Sequence, residues 1–260
     1  MSDTVLYHYT TVTSAHAIMQ SRRVWLTDYR FLNDKHELKQ GIAEFRAALP
    51  DDICQSFDAA FFWHDFSNHH CILSLSKSPK ILSQWRAYAD DASGVALGLS
   101  EQFLRYRGIE LMHCQYENHN QYVRGIVDKH AFLLNATHEA HKTILAENDF
   151  ADWVRSRRDA FYALIRDVLA LKNPAFVEEQ EVRAVLCVAL GSANTRVSRN
   201  LIVPFVSANF WEDDEPQESM HVVINEIWLG PKCDGLNRFG ILAMNCGYFA
   251  KVEMYDCGYV

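Results

Sequence analysis

The hydrophobic pattern predicts a chain in which short strands alternate with helices. Residues 4–9 and 24–27 are rich in β-branched and aromatic side chains, as strands are, and a short helix ending at Ser21 lies between them. Hydrophobic residues then recur at spacings of three and four over residues 35–48 and 52–65, which predicts two amphipathic helices. The N-terminal quarter therefore already mixes both kinds of element.

Apolar runs predict further strands at residues 71–76, 94–99 and 109–116. Because side chains alternate between the two faces of a strand, Ser74 and Ser76 are expected to share one face. Two hydroxyl groups in an apolar run indicate either a half-exposed strand or a strand that borders a cleft.

Residues 119–171 have a different character, with no proline, one glycine and hydrophobic residues at helical spacing. They predict two long helices, inserted at about residues 117–172 into a strand-rich frame. The strands expected after the insertion are 181–189, 200–206, 220–229 and 250–256, with a loop at the acidic run 212–216 and a helical stretch at 233–246. The economical interpretation is a single α+β domain over residues 1–260.

Composition and charge narrow the classes of function. The chain has 15 Phe, 11 Tyr and 6 Trp, enough ring surface for a large core and too much for a disordered chain. The formal net charge of -8 argues against broad binding to duplex nucleic acid, which needs a basic face. It leaves room for a small basic pocket that binds a nucleotide or a strand end.

Seven cysteines are scattered without a C-x-x-C pair, so no disulfide framework or zinc knuckle is predicted. Buried thiols in a reducing compartment are the simpler interpretation. The N-terminus shows no secretory signal and no run of about 18 apolar residues occurs. We therefore expect a cytoplasmic protein with no membrane partner.

Known catalytic motifs are missing, including phosphate-binding glycine loops, the G-x-S-x-G motif and the H-E-x-x-H motif. The adjacent pair His69 and His70 invites a metal interpretation. Neighbouring side chains on a strand point to opposite faces, however, so one ion cannot easily bind both. The sequence therefore predicts no metal site.

Three short segments remain as candidates for chemistry. The first is residues 7–10, where His8 lies between two tyrosines at a strand end, and the second is the serine pair of residues 74–76. The third is residues 178–183, in which Glu179, Glu181 and Arg183 occupy alternate positions. On an extended strand these three charges share one face, which forms either a surface row of ion pairs or a charged cleft wall.

Taken together, these segments resemble the ADP-ribosyltransferase signature. The matching residues are His8, Ser74-Leu75-Ser76 and Glu179-Gln180-Glu181. The resemblance implies a split, mostly antiparallel sheet, with NAD as the nucleotide substrate or cofactor. It also implies a protein or nucleic-acid acceptor for the ADP-ribose.

Nearly the whole chain more closely resembles the bacterial family known as domain of unknown function 2971. The segments that carry this resemblance are residues 6–10, 26–28, 31–34, 73–76, 82–88, 94–95, 176–183 and 229–231. They span residues 6 to 231. The family name implies relatives and a shared fold but no particular chemistry.

The resemblance to ADP-ribosyltransferases implies three catalytic residues. It implies that Glu181 stabilises positive charge at the anomeric carbon as nicotinamide leaves, the kind of electrostatic effect that is usually the largest in catalysis. It places His8 on a ribose hydroxyl and Glu179 where the acceptor nucleophile is oriented.

The same resemblance implies a set of residues that bind the nucleotide. Trp85 or Tyr88 would stack on nicotinamide, and Arg86 or Arg183 would pair with the pyrophosphate. The full set of expected binding residues is His8, Tyr9, Ser74, Ser76, Trp85, Arg86, Tyr88 and Arg183.

Two alternatives remain open. One is a nucleotide- or protein-binding sensor without turnover, as in a stress or phage-defence system, which should show Glu179, Glu181 and Arg183 as an exposed row. An enzyme should instead present Glu181 inside a pocket beside His8. The other alternative is a metal-dependent phosphodiesterase or nuclease, with Asp28, Asp34, His8 and Glu181 around a divalent ion.

Overall fold

In a computed structural model, the chain forms a ten-stranded sheet with helices packed on both faces. The structure describes residues 4–32, 35–198, 200–210, 223–244 and 248–259, with the backbone alone for residues 35–38. The strands are β1 (Val5–Thr10), β2 (Arg23–Asp28), β3 (Asn68–Ser76), β4 (Val95–Ser100), β5 (Glu110–His113), β6 (Glu181–Ala189), β7 (Asn194–Ser198), β8 (Leu201–Asn209), β9 (Ile224–Leu229) and β10 (Lys251–Met254).

Ten α-helices occur in the described part of the chain. They are α1 (Val12–Ser21), α2 (Lys35–Ala47), α3 (Asp51–Ser67), α4 (Leu82–Tyr88), α5 (Glu101–Tyr106), α6 (His119–Lys129), α7 (Ala131–Thr143), α8 (Glu147–Arg155), α9 (Arg158–Val168) and α10 (Asn237–Met244). Two 3₁₀ segments, Tyr29–Phe31 and Pro174–Glu179, follow β2 and precede β6. No helix of the described residues combines the length and the apolar character needed to cross a membrane.

The main path through the sheet runs β10-β9-β4-β1-β3-β2-β8-β7, and β6 joins it through β3 and carries β5. The β9–β10 pair is parallel, and the other ladders between these strands are antiparallel. The structure thus confirms a large, mostly antiparallel, open sheet in a mixed α/β chain.

Strand β3 is the junction of this sheet. Along one edge it pairs with β6 over its whole length. Along the other edge Ser76 pairs with Tyr7 of β1, whereas Ile72 pairs with Thr27 of β2. Strands β1 and β2 therefore share one edge of β3 and separate at residues 73–75, which leaves a gap between them.

The helices of residues 117–172 differ in number from the sequence prediction. Residues 117–172 hold four helices, α6 to α9, where two long ones were expected. His130, between α6 and α7, leaves the helical region at φ -104°, and Arg157, just before α9, does so at φ -115°. Neither position is a glycine or a proline, the residues from which a helix break can be recognised in a sequence.

Two large hydrophobic cores flank the sheet, and a smaller cluster lies around Trp85. One contains residues of α1, α5 and α10, with Leu73 and Leu75 of β3 pointing into it. The other contains residues of α2, α3 and α6–α9, with Ile72 of β3. Because alternate residues of β3 enter different cores, Ser74 and Ser76 share the face of Ile72, as predicted.

The strands predicted in the C-terminal half agree with the structure in part. Strand β6 has the predicted bounds, and β8 extends the strand predicted at residues 200–206. Strand β7 was not predicted. The acidic run 212–216, together with Asn33 and Asp34, lies outside the described residues.

Candidate functional site

A cavity of about 380 Å³ opens where β1 and β2 separate along β3. This volume falls within the roughly 300–1,000 Å³ typical of small-molecule sites. The polar and aromatic side chains of its lining include His8, Tyr9, Ser14, Arg23, Trp25, Thr27, Ser74, Gln84, Tyr88, Lys172, Glu179, Glu181, Arg183 and Arg196. The structure therefore brings together seven of the predicted site residues, which are His8, Tyr9, Ser74, Tyr88, Glu179, Glu181 and Arg183.

A buried cluster of four charges forms one wall of the cavity. Lys172 donates to the carboxylates of both Glu179 and Glu181, the second at 2.7 Å. Arg183 donates to the same Glu181 carboxylate through Nε at 3.3 Å and Nη2 at 3.2 Å. Glu181 is 6% exposed, so the cluster is a cleft wall and not a surface row of ion pairs.

Charge pairing keeps Glu181 ionised despite its burial. Burial alone would raise the pKa of Glu181, but Arg183 and Lys172 outweigh it and hold the pKa at about 2. Burial would likewise lower the pKa of Lys172, and the two glutamates raise it instead. The Glu181 carboxylate is therefore ionised at neutral pH, and its charge is balanced by the cations beside it.

The two glutamates do not lie on one extended strand, which was the condition for placing both on one face from the sequence. Glu179 ends the 3₁₀ segment and Glu181 begins β6, with Gln180 between them at φ 48°. This left-handed residue turns the chain so that both carboxylates reach Lys172. The convergence comes from a turn and from Lys172, which the motif does not contain.

His8 is held on β1 beside β3. Its Nδ1 lies 3.2 Å from the carbonyl oxygen of Ser74 and donates to it, since a carbonyl can only accept. Burial lowers the pKa of His8, and the bond to Ser74 opposes that effect only in part. The imidazole is thus neutral at pH 7, with Nε2 as its acceptor nitrogen.

Two tyrosines contribute aromatic surface to the cavity. The hydroxyl of Tyr9 donates to the Ser78 carbonyl at 2.7 Å and accepts from the Ile81 amide at 3.2 Å, which fixes the ring. Tyr88 is half-buried at the end of α4. Both rings border the same space as His8.

Arg196 lines the cavity from β7 and was not predicted. Its Nη2 donates to the Thr27 hydroxyl at 3.0 Å, and its guanidinium lies 5.1 Å from the centre of the Trp25 ring. Its Nε is buried without a hydrogen-bond partner, and no carboxylate pairs with it among the described residues. Burial lowers the pKa of Arg196 accordingly.

Neither Lys172 nor Arg196 belongs to a recognisable sequence motif. Lys172 follows the last helix of the insertion, and Arg196 lies on a strand that reaches the cavity only through the pairing of β7, β8 and β2. Only the tertiary arrangement identifies these two cations.

The expectations for Trp85 and Arg86 are corrected by the structure. Trp85 is 0% exposed, and its Nε1 donates to the Pro79 carbonyl at 2.9 Å, so the ring is core and not a stacking surface. The side chain of Arg86 is 60% exposed and lies 3.9 Å from Asp91, outside the cavity lining. Neither residue lines the cavity.

The two serines have different surroundings despite sharing one face. Ser74 lines the cavity and donates to the Glu181 carboxylate, which helps to lower the pKa of that glutamate. Ser76 is buried, and its hydroxyl donates to the Glu179 carbonyl at 2.8 Å. Ser76 therefore supports the turn before β6 and does not line the cavity.

The arrangement proposed for a nuclease does not form. Asp28 is fully buried and binds Arg30 and His69, each at 2.7 Å, and it does not line the cavity with His8 and Glu181. The fourth residue, Asp34, lies outside the described residues. The described residues thus separate the carboxylates that such a metal site would need.

Fold and cavity define a mixed α/β protein whose open, mostly antiparallel sheet holds a cavity with a charged wall. Residues 84–184 match a family model described as protein of unknown function (DUF2971), which supports the resemblance to that family. The matched part includes all four charges of the cavity wall. No match was found among the curated proteins or among the solved structures.

Proposed function

We propose that the chain binds NAD in the cavity and transfers its ADP-ribosyl group to an acceptor. The observation that carries the proposal is the position of Glu181, a buried carboxylate that lines the same cavity as His8. That is the arrangement expected of an enzyme and not of an exposed ion-pair row.

The chemistry requires negative charge close to the sugar. When bound, NAD supplies the ADP-ribosyl group, and positive charge develops at its anomeric carbon as the bond to nicotinamide breaks. Glu181 supplies the negative charge, and Lys172 and Arg183 hold its carboxylate in one orientation. A charge that is already oriented costs no reorganisation during the reaction.

The remaining lining residues suit the other parts of an anionic nucleotide. The neutral His8 offers Nε2 to a ribose hydroxyl, because Nδ1 is engaged by Ser74. Tyr9 and Tyr88 offer ring surface to a flat base. Arg196 is half-buried and offers a guanidinium whose buried Nε is unpartnered, and a phosphate would satisfy that group bidentately.

The test is NAD binding and nicotinamide release by the purified chain, with Glu181→Gln against Glu178→Gln. Glu178 is exposed and lies three residues away, so it is a matched control. We expect release to fall about 100- to 1,000-fold in Glu181→Gln, the cost of losing one preorganised electrostatic group. The Glu178→Gln variant should behave as the parent.

Mass spectrometry of candidate proteins and nucleic acids incubated with the chain and NAD identifies the acceptor by a mass increase of one ADP-ribosyl group. The absence of NAD binding at millimolar concentration would contradict the proposal. Release that is equally fast in Glu181→Gln would also contradict it.

A second candidate is a sensor that binds the nucleotide without turnover. The observation that favours it is the pairing of Glu181 with two cations, which reduces the negative potential that this carboxylate can exert. In this case the parent binds NAD and releases no nicotinamide, and Arg196→Gln weakens binding.

A further inference from the structure

A second polar cluster lies on the face of β3 and β6 that carries Ser74, but outside the cavity. His70 of β3 is paired in register with Cys187 of β6, and His64 approaches from the last turn of α3. The Nε2 atoms of the two histidines are 3.1 Å apart. One donor atom from each of the three residues lies within 4.8 Å of the others.

Hydrogen bonding alone does not account for two histidines at these positions. Both are at most 1% exposed, and their rings pack against Phe161 and Tyr162 in an apolar environment. The pair can share only one proton between the Nε2 atoms, and Nδ1 of His70 is buried without a partner among the described residues. Burying polar atoms so incompletely satisfied is costly unless another group binds them.

The donor types are those of a zinc site, and the separation of the two imidazole nitrogens fits one. Imidazole nitrogen and cysteine sulfur are the ligands that Zn²⁺ prefers. Two nitrogens bound at about 2.0–2.1 Å in a tetrahedron lie roughly 3.3 Å apart, close to the separation of the Nε2 atoms.

Arg158 supports the third ligand. Its Nη2 donates to the Cys187 carbonyl at 2.7 Å and to the Cys187 sulfur at 3.8 Å, while its Nε donates to the Asn68 side chain at 2.7 Å. A donor of this kind beside a ligand sulfur orients it and stabilises its thiolate form.

We propose that His64, His70 and Cys187 bind one Zn²⁺ ion, which connects α3 to β3 and β6. Binding forms bonds from two neutral imidazoles and one thiolate, and the thiol proton passes to solvent. His70 lies four residues from Ser74, roughly 13 Å along the strand, and the apolar pair Ile72 and Val185 separates the two sites. The zinc site is therefore independent of the proposed NAD chemistry.

The experiment measures metal in the full chain after loading with Zn²⁺ and dialysis, by inductively coupled plasma mass spectrometry. Competition with a chelator gives the affinity, and Co²⁺ loading reports a sulfur ligand through its charge-transfer absorption. The variants are Cys187→Ser and His70→Gln. The matched control is Cys54→Ser, a partly buried cysteine of α3 outside the cluster.

We expect one Zn²⁺ per chain in the parent and in Cys54→Ser. Outer-shell substitutions already cost about 10- to 100-fold in metal affinity, so losing a ligand should cost more than about 100-fold. Zn²⁺ should raise the melting temperature of the parent and not that of Cys187→Ser. Less than about 0.1 equivalent of zinc in a folded parent overturns the proposal, as does equal affinity in the parent and Cys187→Ser. Tight binding of Cu⁺ without binding of Zn²⁺ overturns the assignment to zinc.

Discussion

Asp28 and Glu181 are two buried carboxylates with similar partners and different access. Asp28 is bound by Arg30 and His69, and Glu181 is bound by Lys172 and Arg183. Hydrogen bonds and opposite charges outweigh burial at both sites, so the pKa of each carboxyl lies below its usual value. Only Glu181 lines the cavity.

The difference shows that burial and ionisation alone do not identify a functional carboxylate. Asp28 accepts from the backbone amide of Arg30 at 2.9 Å and starts the 3₁₀ segment after β2. Its bonds are therefore used to shape the chain. Glu181 is held as firmly, but it also borders a space that a ligand can enter. Substitutions at the two carboxylates should therefore have different effects, one on stability and the other on ligand chemistry.

The largest expected effect is on stability in Asp28→Asn. The amide cannot replace a fully buried carboxylate that accepts from both Arg30 and His69, and breaking a buried pair of this kind costs about 3–5 kcal/mol. Urea unfolding measures the free energy of unfolding, with Asp58→Asn, in an exposed ion pair with Arg46, as the control. A loss below about 1 kcal/mol in Asp28→Asn would mean that Asp28 is not structural.

The next effect is on NAD affinity in Arg196→Gln. A hydrogen bond to a charged group contributes about 1.5–3 kcal/mol, so binding should weaken roughly 10- to 100-fold. Isothermal titration calorimetry measures the affinity for NAD. Arg196→Lys should retain more affinity than Arg196→Gln because it keeps the positive charge. Arg155→Gln, at an exposed arginine of α8, is the control. If the two glutamine variants bind NAD equally well, Arg196 does not hold the phosphates.

Local patterns predicted strands and missed several helix ends. Strand β6 was predicted with its actual bounds because Val182, Ala184 and Leu186 alternate with residues of the other face. Strand β7 was missed because its sequence is polar and it is placed by pairing with β8. The breaks at His130 and Arg157 depend on packing between helices, which no local signal encodes.

The site was predictable only where its residues lie in a recognisable segment. His8, Ser74 and Glu181 could be proposed from their resemblance to a known signature. Trp85 was assigned wrongly because an aromatic residue among polar neighbours looks like a ligand contact. In the fold, the Pro79 carbonyl satisfies its indole nitrogen and the ring is enclosed. Cations such as Arg196 required the three-dimensional pairing of distant strands.

A smaller effect is expected on stability in Glu181→Gln. Lys172 keeps its second carboxylate, Glu179, and the cavity gives water access to the position, so the cost should be about 2 kcal/mol. Unfolding in urea should therefore rank Glu181→Gln between the parent and Asp28→Asn. A variant less stable than Asp28→Asn would remove the distinction between the two carboxylates.

The smallest expected effect is the contribution of Glu181 to the pH dependence of the free energy of unfolding. Its pKa is about 2 in the folded chain and 4.5 in the unfolded one, so the carboxylate stabilises the fold above pH 4.5. This stability is lost as the pH falls from 4.5 toward 2, because the unfolded chain takes up the proton first. At pH 4 the loss from this group is about 0.8 kcal/mol relative to neutral pH.

Unfolding in urea at pH 7 and pH 4 measures this loss in the parent and in Glu181→Gln. The other titrating groups are common to both proteins, so the difference between the two losses isolates Glu181. Between pH 7 and pH 4 the parent should lose about 0.8 kcal/mol more stability than Glu181→Gln, which is the loss expected from one carboxyl group. Asp28 contributes in the same direction, starting from an ordinary pKa of 3.8, so Asp28→Asn should change the loss at pH 4 less than Glu181→Gln does. Equal losses in the parent and Glu181→Gln would mean that the cavity carboxylate is not held ionised by Lys172 and Arg183, and the basis for its proposed role would be gone.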